Sequence, residues 1–323
     1  MSRQPDVGGL ALCSGHCFSL RLSGAPVAVA CLAEELCGLR RGVSELRLVP
    51  AVAAPPSRRP AERPACGAGF AVNAYGLRIA VRANEPAVLR RVRDWLPPGW
   101  RPVCSEIVQR LYSFVLSPRR GIHTLYGNAA TVAQARTLND ILDGFESDLQ
   151  IYVAEWAPRH VFVHAGVVGW RGQAILLPGT SGSGKSRLVA ELIRAGATYY
   201  SDEYAVLDAT GYVRPYARRL SLRQDGRPRS RRYPVEAFGG QAGRRPLPVG
   251  LVVLANYRPG ARWRPGPLAA GRGALALLNH AIAARRAPAR VLAAIAEVAK
   301  VARFLVGPRG EAEETARLIL TRD

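Results

Sequence analysis

Two short apolar runs dominate the middle of the chain, VFVHAGVVGW (161–170) and QAILLPG (173–179). Both are rich in β-branched and aliphatic residues and predict strands. SRLVAELIRAG (186–196) follows with helical spacing and closes on Gly196. TYYSDEYAVLD (198–208) and GYVRPY (211–216) predict a hairpin around residues 209–211. VGLVVLANY (249–257) is a continuous apolar run of the kind that lies inside a sheet. RGALALLNHAIAARRA (272–287) predicts a helix and VARFLV (301–306) a late strand.

The first half of the chain has a different rhythm. FSLRLSGAPVAVA (18–30) and ELRLVPAV (45–52) alternate enough to predict short strands, and the Pro/Arg-rich stretch 53–67 predicts a linker. FAVNAYGLRIAVRA (70–83) predicts a hairpin, PAVLRRVRDWL (86–96) a helix closed by Pro97 and Pro98, and LYSFVL (111–116) a strand. In 137–157, Leu138, Ile141, Leu142, Phe145, Leu149 and Tyr152 recur at helical spacing. No internal repeat is present. The patterns divide the chain into a smaller α+β domain, 1–155, and an α/β domain, 156–323.

A chain of 323 residues, 48% hydrophobic and 7% aromatic, is long and apolar enough for a buried core. Its net charge of +21 raises nucleic acid as a partner. Most of the arginines are dispersed, however, and they concentrate only in 214–232: Arg214, Arg218, Arg219, Arg223, Arg227, Arg229, Arg231 and Arg232. No aromatic-interleaved basic motif accompanies them, so nucleic acid is not expected as a partner. No apolar leader and no stretch of 18 apolar residues is present, which predicts a cytoplasmic protein without membrane contact. Cys13, His16 and Cys17 have poor spacing for zinc without a second pair.

Chemistry enters at residues 179–186. Gly179, Thr180, Ser181, Gly182, Ser183, Gly184, Lys185 and Ser186 fit the Walker A pattern G-x4-G-K-[ST]. Lys185 is one of only two lysines in the chain. That scarcity brings the odds of a chance match to about one in a thousand. Backbone amides of such a loop and the positive end of the next helix cradle phosphates. Lys185 suits the β- and γ-phosphates as a compact charge where the planar fork of arginine does not fit. Arg187 follows in the same cradle. Ser186 is a candidate Mg²⁺ ligand and ATP the expected nucleotide.

His164 lies in the strand before the loop, and Asp202 and Glu203 close the strand after the helix. Each alone has an ordinary structural reading, as a core histidine or a turn pair. Together with the loop, the order His164-Ala165-Gly166-Val167, Gly179 to Ser186, Gly196, Asp202-Glu203 resembles the catalytic domain of the HPr serine kinase/phosphorylase family and its related kinases. Those relatives include kinases of lasso-peptide precursors. The resemblance covers about 160–210 strongly and the rest to about 310 weakly. It leaves 1–150 without a counterpart. It implies a P-loop kinase domain with a central mixed sheet and a homo-oligomeric assembly.

By that resemblance Asp202 activates the acceptor hydroxyl, Lys185 and His164 face the γ-phosphate, and Ser186 holds the metal. The family's second acid is an aspartate, whereas here it is Glu203, a further candidate metal ligand. The family's phosphorolysis segment is missing, which favours a kinase alone. Arg223 is a candidate for stabilising the transferring phosphoryl group. The expected activity is transfer of the γ-phosphoryl group of ATP to a serine-type hydroxyl on a peptide, protein or small molecule. A nucleotide-binding regulator without transfer is the alternative, and a nucleic-acid-stimulated ATPase a third, carried by charge alone.

Overall fold

The computed structural model describes residues 68–105, 107–117, 121–223 and 230–321, with short strand pieces at 21–22, 25–26 and 59–60. Cys13, His16, Cys17, most of the strand region expected before residue 53, most of the 53–67 linker, Arg227 and Arg229 lie outside the described residues. By contacts the chain divides into Met1–Ser44 and Glu45–Asp323. In the first unit, Arg21–Leu22 pairs antiparallel with Ala25–Pro26.

The second unit holds two large sheets and, among the described residues, two small two-stranded ones. The first is built from β1 (Ala68–Ala74), β2 (Leu77–Ala83), β3 (Arg101–Pro102), β4 (Arg110–Val115), β5 (His123–Gly127) and β6 (Ala130–Ala135). Their order across the sheet is β6-β5-β4-β2-β1-β3. Every second residue of the central strands is apolar and buried: Val72 and Ala74, Ile79 and Val81, Tyr112 and Phe114. Alternation at period two puts these on one face, where α1 (Ala87–Arg93) and α2 (Leu138–Trp156) cover them. Thr137 caps α2 by accepting from the amide of Asp140 at 3.2 Å.

The second sheet has a parallel centre. It comprises β7 (Val161–Trp170), β8 (Gln173–Pro178), β9 (Thr198–Ser201), β10 (Tyr204–Leu207), β11 (Val213–Arg214), β14 (Val249–Tyr257), β15 (Gly266–Pro267) and β16 (Arg303–Arg309). Its order is β11-β10-β7-β8-β14-β16-β15, with β9 also paired to β7. β8, β14 and β16 run parallel, whereas β7 is antiparallel to β8. Ala174, Leu176, Val249 and Val252 face one core with α4 (Ala270–Asn279) and α5 (Pro288–Val301). Ile175, Leu177, Leu251 and Val253 face another with α3 (Lys185–Arg194) and α6 (Ala312–Thr321). Burial on both faces is what the unbroken apolar runs of β8 and β14 record. The molecule is thus a mixed α/β protein.

The 155/156 division falls at the end of α2, and packing crosses it. Phe162, Tyr204, Val206 and Tyr216 belong to the same buried cluster as Ile141, Phe145 and Leu149 of α2. The arginine-rich segment also turns inward. It contains the hairpin β12 (Leu220–Arg223) and β13 (Ser230–Tyr233). Arg218 and Arg232 both pair with Glu146, a buried carboxylate on α2, and Arg232 lies 4.2 Å over the Trp95 ring. Arg232 also pairs with Asp143 at 3.1 Å, so two charges of that basic stretch are matched by two acids of α2.

Two elements differ from the sequence expectation. TYYSDEYAVLD is interrupted at Asp202–Glu203, because the Ser201 hydroxyl accepts from the amides of Glu203 and Tyr204 at 3.1 and 2.9 Å. A side-chain bond of that kind competes with the strand ladder and turns the chain. The helix expected over 272–287 stops at Asn279. Beyond it, His280 O accepts from His164 N at 2.8 Å, and Ile282 N donates to Phe162 O at 2.9 Å. β8 leaves the ladder at Pro178, opposite Ala165, and residues 280–282 continue it along β7.

Candidate phosphate-binding site

β8 ends at Pro178, residues 179–184 form a loop, and α3 starts at Lys185. The cap is Gly184, with φ of 82° and no side-chain cap bond. The first amides of a helix have no intrahelical acceptor. Here neither a cap side chain nor an acid in the first turn occupies them. That leaves the positive end of α3 open toward the loop. A side chain at Gly184 would be strained at this φ, and its Cβ would collide with the Arg309 guanidinium.

Lys185 Nζ donates to Gly179 O and Thr180 O, each at 2.7 Å. The ammonium thus sits over the loop, on the loop's own carbonyls. Burial lowers its pKa to about 8, against the opposing pull of Glu203 and Asp202. Ser186 Oγ donates to Asp202 Oδ2 at 3.0 Å. The break after β9 therefore delivers Asp202 to the first turn of α3.

The two neighbouring acids occupy different environments. Asp202 is only 6% exposed and also accepts from Tyr199 Oη at 2.8 Å and Ser221 N at 3.0 Å. Burial raises its pKa, and the hydrogen bonds from Ser221, Tyr199 and Ser186 oppose that rise. The Glu203 side chain is 46% exposed and pairs with His164 Nε2 at 3.3 Å. His164 also belongs to the loop's frame, since its carbonyl accepts from Gly179 N at 3.4 Å. A hydroxyl beside a carboxylate, as at Ser186 and Asp202, is a hard oxygen pair that suits Mg²⁺.

The sequence-selected residues thus fall into two groups. His164, Lys185, Ser186, Asp202, Glu203 and the glycine-rich loop come together. Arg187 is exposed on the first turn of α3, and its charge acts on Tyr257. Arg223 is exposed at the end of β12, in register with Ser230, two residues beyond the Ser221 amide that holds Asp202.

Three site residues carry no local signal in the sequence. Tyr199 supports Asp202 from within β9. His280 is brought beside the site by the ladder along β7, and burial lowers its pKa, with smaller contributions from His164 and Lys185. Arg309, at the end of β16, is 3% exposed. Its Nη2 donates to Ser183 O at 3.2 Å and Gly184 O at 3.1 Å, which ties the loop to the third parallel strand. No protein-family model matches the chain, and no curated protein matches it.

Proposed function

We propose that the protein is an ATP-dependent kinase of the P-loop type, related to the HPr serine kinase group, that phosphorylates a serine-type hydroxyl. The observation that carries this reading is the Ser186–Asp202 hydrogen bond at the start of α3. It joins a candidate phosphate loop to an acid, and a second, more open acid stands next in sequence.

In this reading the α3 amides and Lys185 hold the triphosphate of ATP, and Ser186 with Asp202 hold Mg²⁺, which neutralises phosphate charge. Glu203 accepts the proton of the acceptor hydroxyl. That oxygen then bonds to the γ-phosphorus as the bridging β–γ bond breaks and ADP leaves. The roles of the two acids are exchanged relative to the expectation that Asp202 is the base and Glu203 the metal ligand. Three donors already engage the buried Asp202, whereas Glu203 is open to an incoming hydroxyl and lies beside His164. Arg223 stays outside the proposed machinery.

The test separates binding from transfer in the full chain. Glu203→Gln is expected to keep ATP affinity and lose phosphorylation of a serine-containing peptide library, read by mass mapping. Transfer at the unmodified rate would overturn the base assignment. ATP binding without transfer to any hydroxyl would favour the regulator reading.

A further inference from the structure

The carboxyl ends of β14 and β16, the two strands parallel to the loop strand, carry or adjoin two side chains that phosphate binding does not use, Tyr257 and Glu311. Open α/β sheets take ligands outside the carboxyl ends of their strands. Tyr257 ends β14 and is 46% exposed. The Arg309 guanidinium lies 5.2 Å from its centroid while Nη2 of the same group reaches Gly184 O at 3.1 Å. Joined through one guanidinium C–N bond of about 1.3 Å, these distances keep the ring within about 10 Å of the cap of α3. Tyr257 Oη donates to Glu311 Oε1 at 3.0 Å, which fixes the ring and brings a carboxylate to its edge. Backbone bonds brace the platform, with Arg258 N donating to Arg309 O at 2.8 Å.

We propose that Tyr257 and Glu311 form the nucleobase subsite: the base stacks on the exposed Tyr257 ring, and Glu311 accepts from its exocyclic amine. This rests on the reading of residues 179–186 as a triphosphate site. A nucleotide held by its phosphates at the loop lays its base beyond the ribose, and the ring lies within about 10 Å of the α3 cap. Stacking on an aromatic face tolerates any base. Selection therefore falls to Glu311, which as a carboxylate only accepts hydrogen bonds. It favours adenine, which presents an amine at position 6, over hypoxanthine, which presents a carbonyl there. Arg309 links the two halves of the site, because one guanidinium holds the loop carbonyls and backs the ring.

The experiment compares three probes by calorimetric titration of the full chain in Mg²⁺: ATP, inosine triphosphate and inorganic tripolyphosphate. The expected result is that Tyr257→Ala weakens ATP by roughly tenfold or more and leaves tripolyphosphate unchanged. Tyr257→Phe keeps ATP affinity within a fewfold by retaining the ring. Glu311→Gln narrows the preference for ATP over inosine triphosphate. If Tyr257→Ala binds ATP as the unmodified chain does, or weakens ATP and tripolyphosphate equally, the subsite is overturned while the phosphate site stands. If the unmodified chain binds neither ATP nor tripolyphosphate, both readings fall together.

Discussion

Ser186 Oγ and Asp202 Oδ2 lie 3.0 Å apart, although one begins a helix and the other follows the next strand. Asp202 is buried there with its pKa raised, so its ionised form costs stability near neutral pH. A raised folded-state pKa gives stability that is present at acid pH and lost as pH rises through that pKa. Asp202→Asn removes the charge, keeps one acceptor oxygen for Ser221 N and Ser186 Oγ, and places an amide donor toward Tyr199 Oη, which can accept. The unliganded variant is therefore expected to melt higher than the unmodified chain at neutral pH, with the gap closing as pH falls. The same substitution is expected to abolish the Mg²⁺ dependence of ATP binding. Thermal melts across pH and titrations with and without Mg²⁺ check both halves.

Lys185 supplies a second pH-linked outcome. Its pKa is lowered to about 8 by burial, so a good share of the unliganded protein carries a neutral amine between about pH 8 and 9. A polyphosphate beside it favours the ammonium. Binding of tripolyphosphate in that range is expected to take up protons, and at pH 6.5 nearly none. Calorimetry in buffers of different ionisation enthalpy reads the proton count, and Lys185→Ala removes the uptake.

Arg309 holds the end of the loop at the cap of α3, through Ser183 O and Gly184 O. Its truncation leaves the Ser183 carbonyl without this donor, while Gly184 O keeps the bond from Leu188 N at 3.1 Å. Arg309→Ala is expected to cost about 1–3 kcal/mol of stability and to weaken ATP, because the cap of α3 is no longer fixed. Denaturant unfolding and an ATP titration of the same variant measure the two effects.

Glu146 is the most consequential carboxylate away from the site. It is buried on α2 and pairs with both Arg218 and Arg232. Glu146→Ala strands Arg218, whereas Arg232 keeps Asp143 at 3.1 Å, and breaking a buried ion pair by removing one partner costs about 3–5 kcal/mol. Urea unfolding checks the size of the effect. Replacing Arg218 as well is expected to recover part of the loss, and no recovery would argue that the network is incidental to stability.

The sequence made the local units readable. The runs of β7, β8 and β14 recover their strands, and the Walker pattern locates the turn into α3, because each is set by neighbours a few residues apart. PAVLRRVRDWL and the 137–157 periodicity likewise become α1 and α2. The long-range parts were not readable. Arg309 meets Gly184 across 125 positions, and no local spacing encodes that meeting. His280 sits in what reads as a helix until the ladder along β7 competes for its carbonyl. The arginine-rich stretch reads as a solvated patch, since the buried partner of Arg218 and Arg232 lies on a helix of the other sheet. The proposed exchange of roles between Asp202 and Glu203 turns on which acid the β9–β10 break buries, and composition carries no trace of that.

The central claim is that a phosphoryl group leaves this loop for a hydroxyl. The most direct measurement follows ATP labelled at the γ-phosphate, with Mg²⁺ and a serine-containing peptide library, in the unmodified chain, Lys185→Ala and Glu203→Gln. The account predicts label in an acid-stable serine ester for the unmodified chain and none for either variant, while Glu203→Gln still binds ATP. Label released only as inorganic phosphate, or transferred equally by all three proteins, would contradict it.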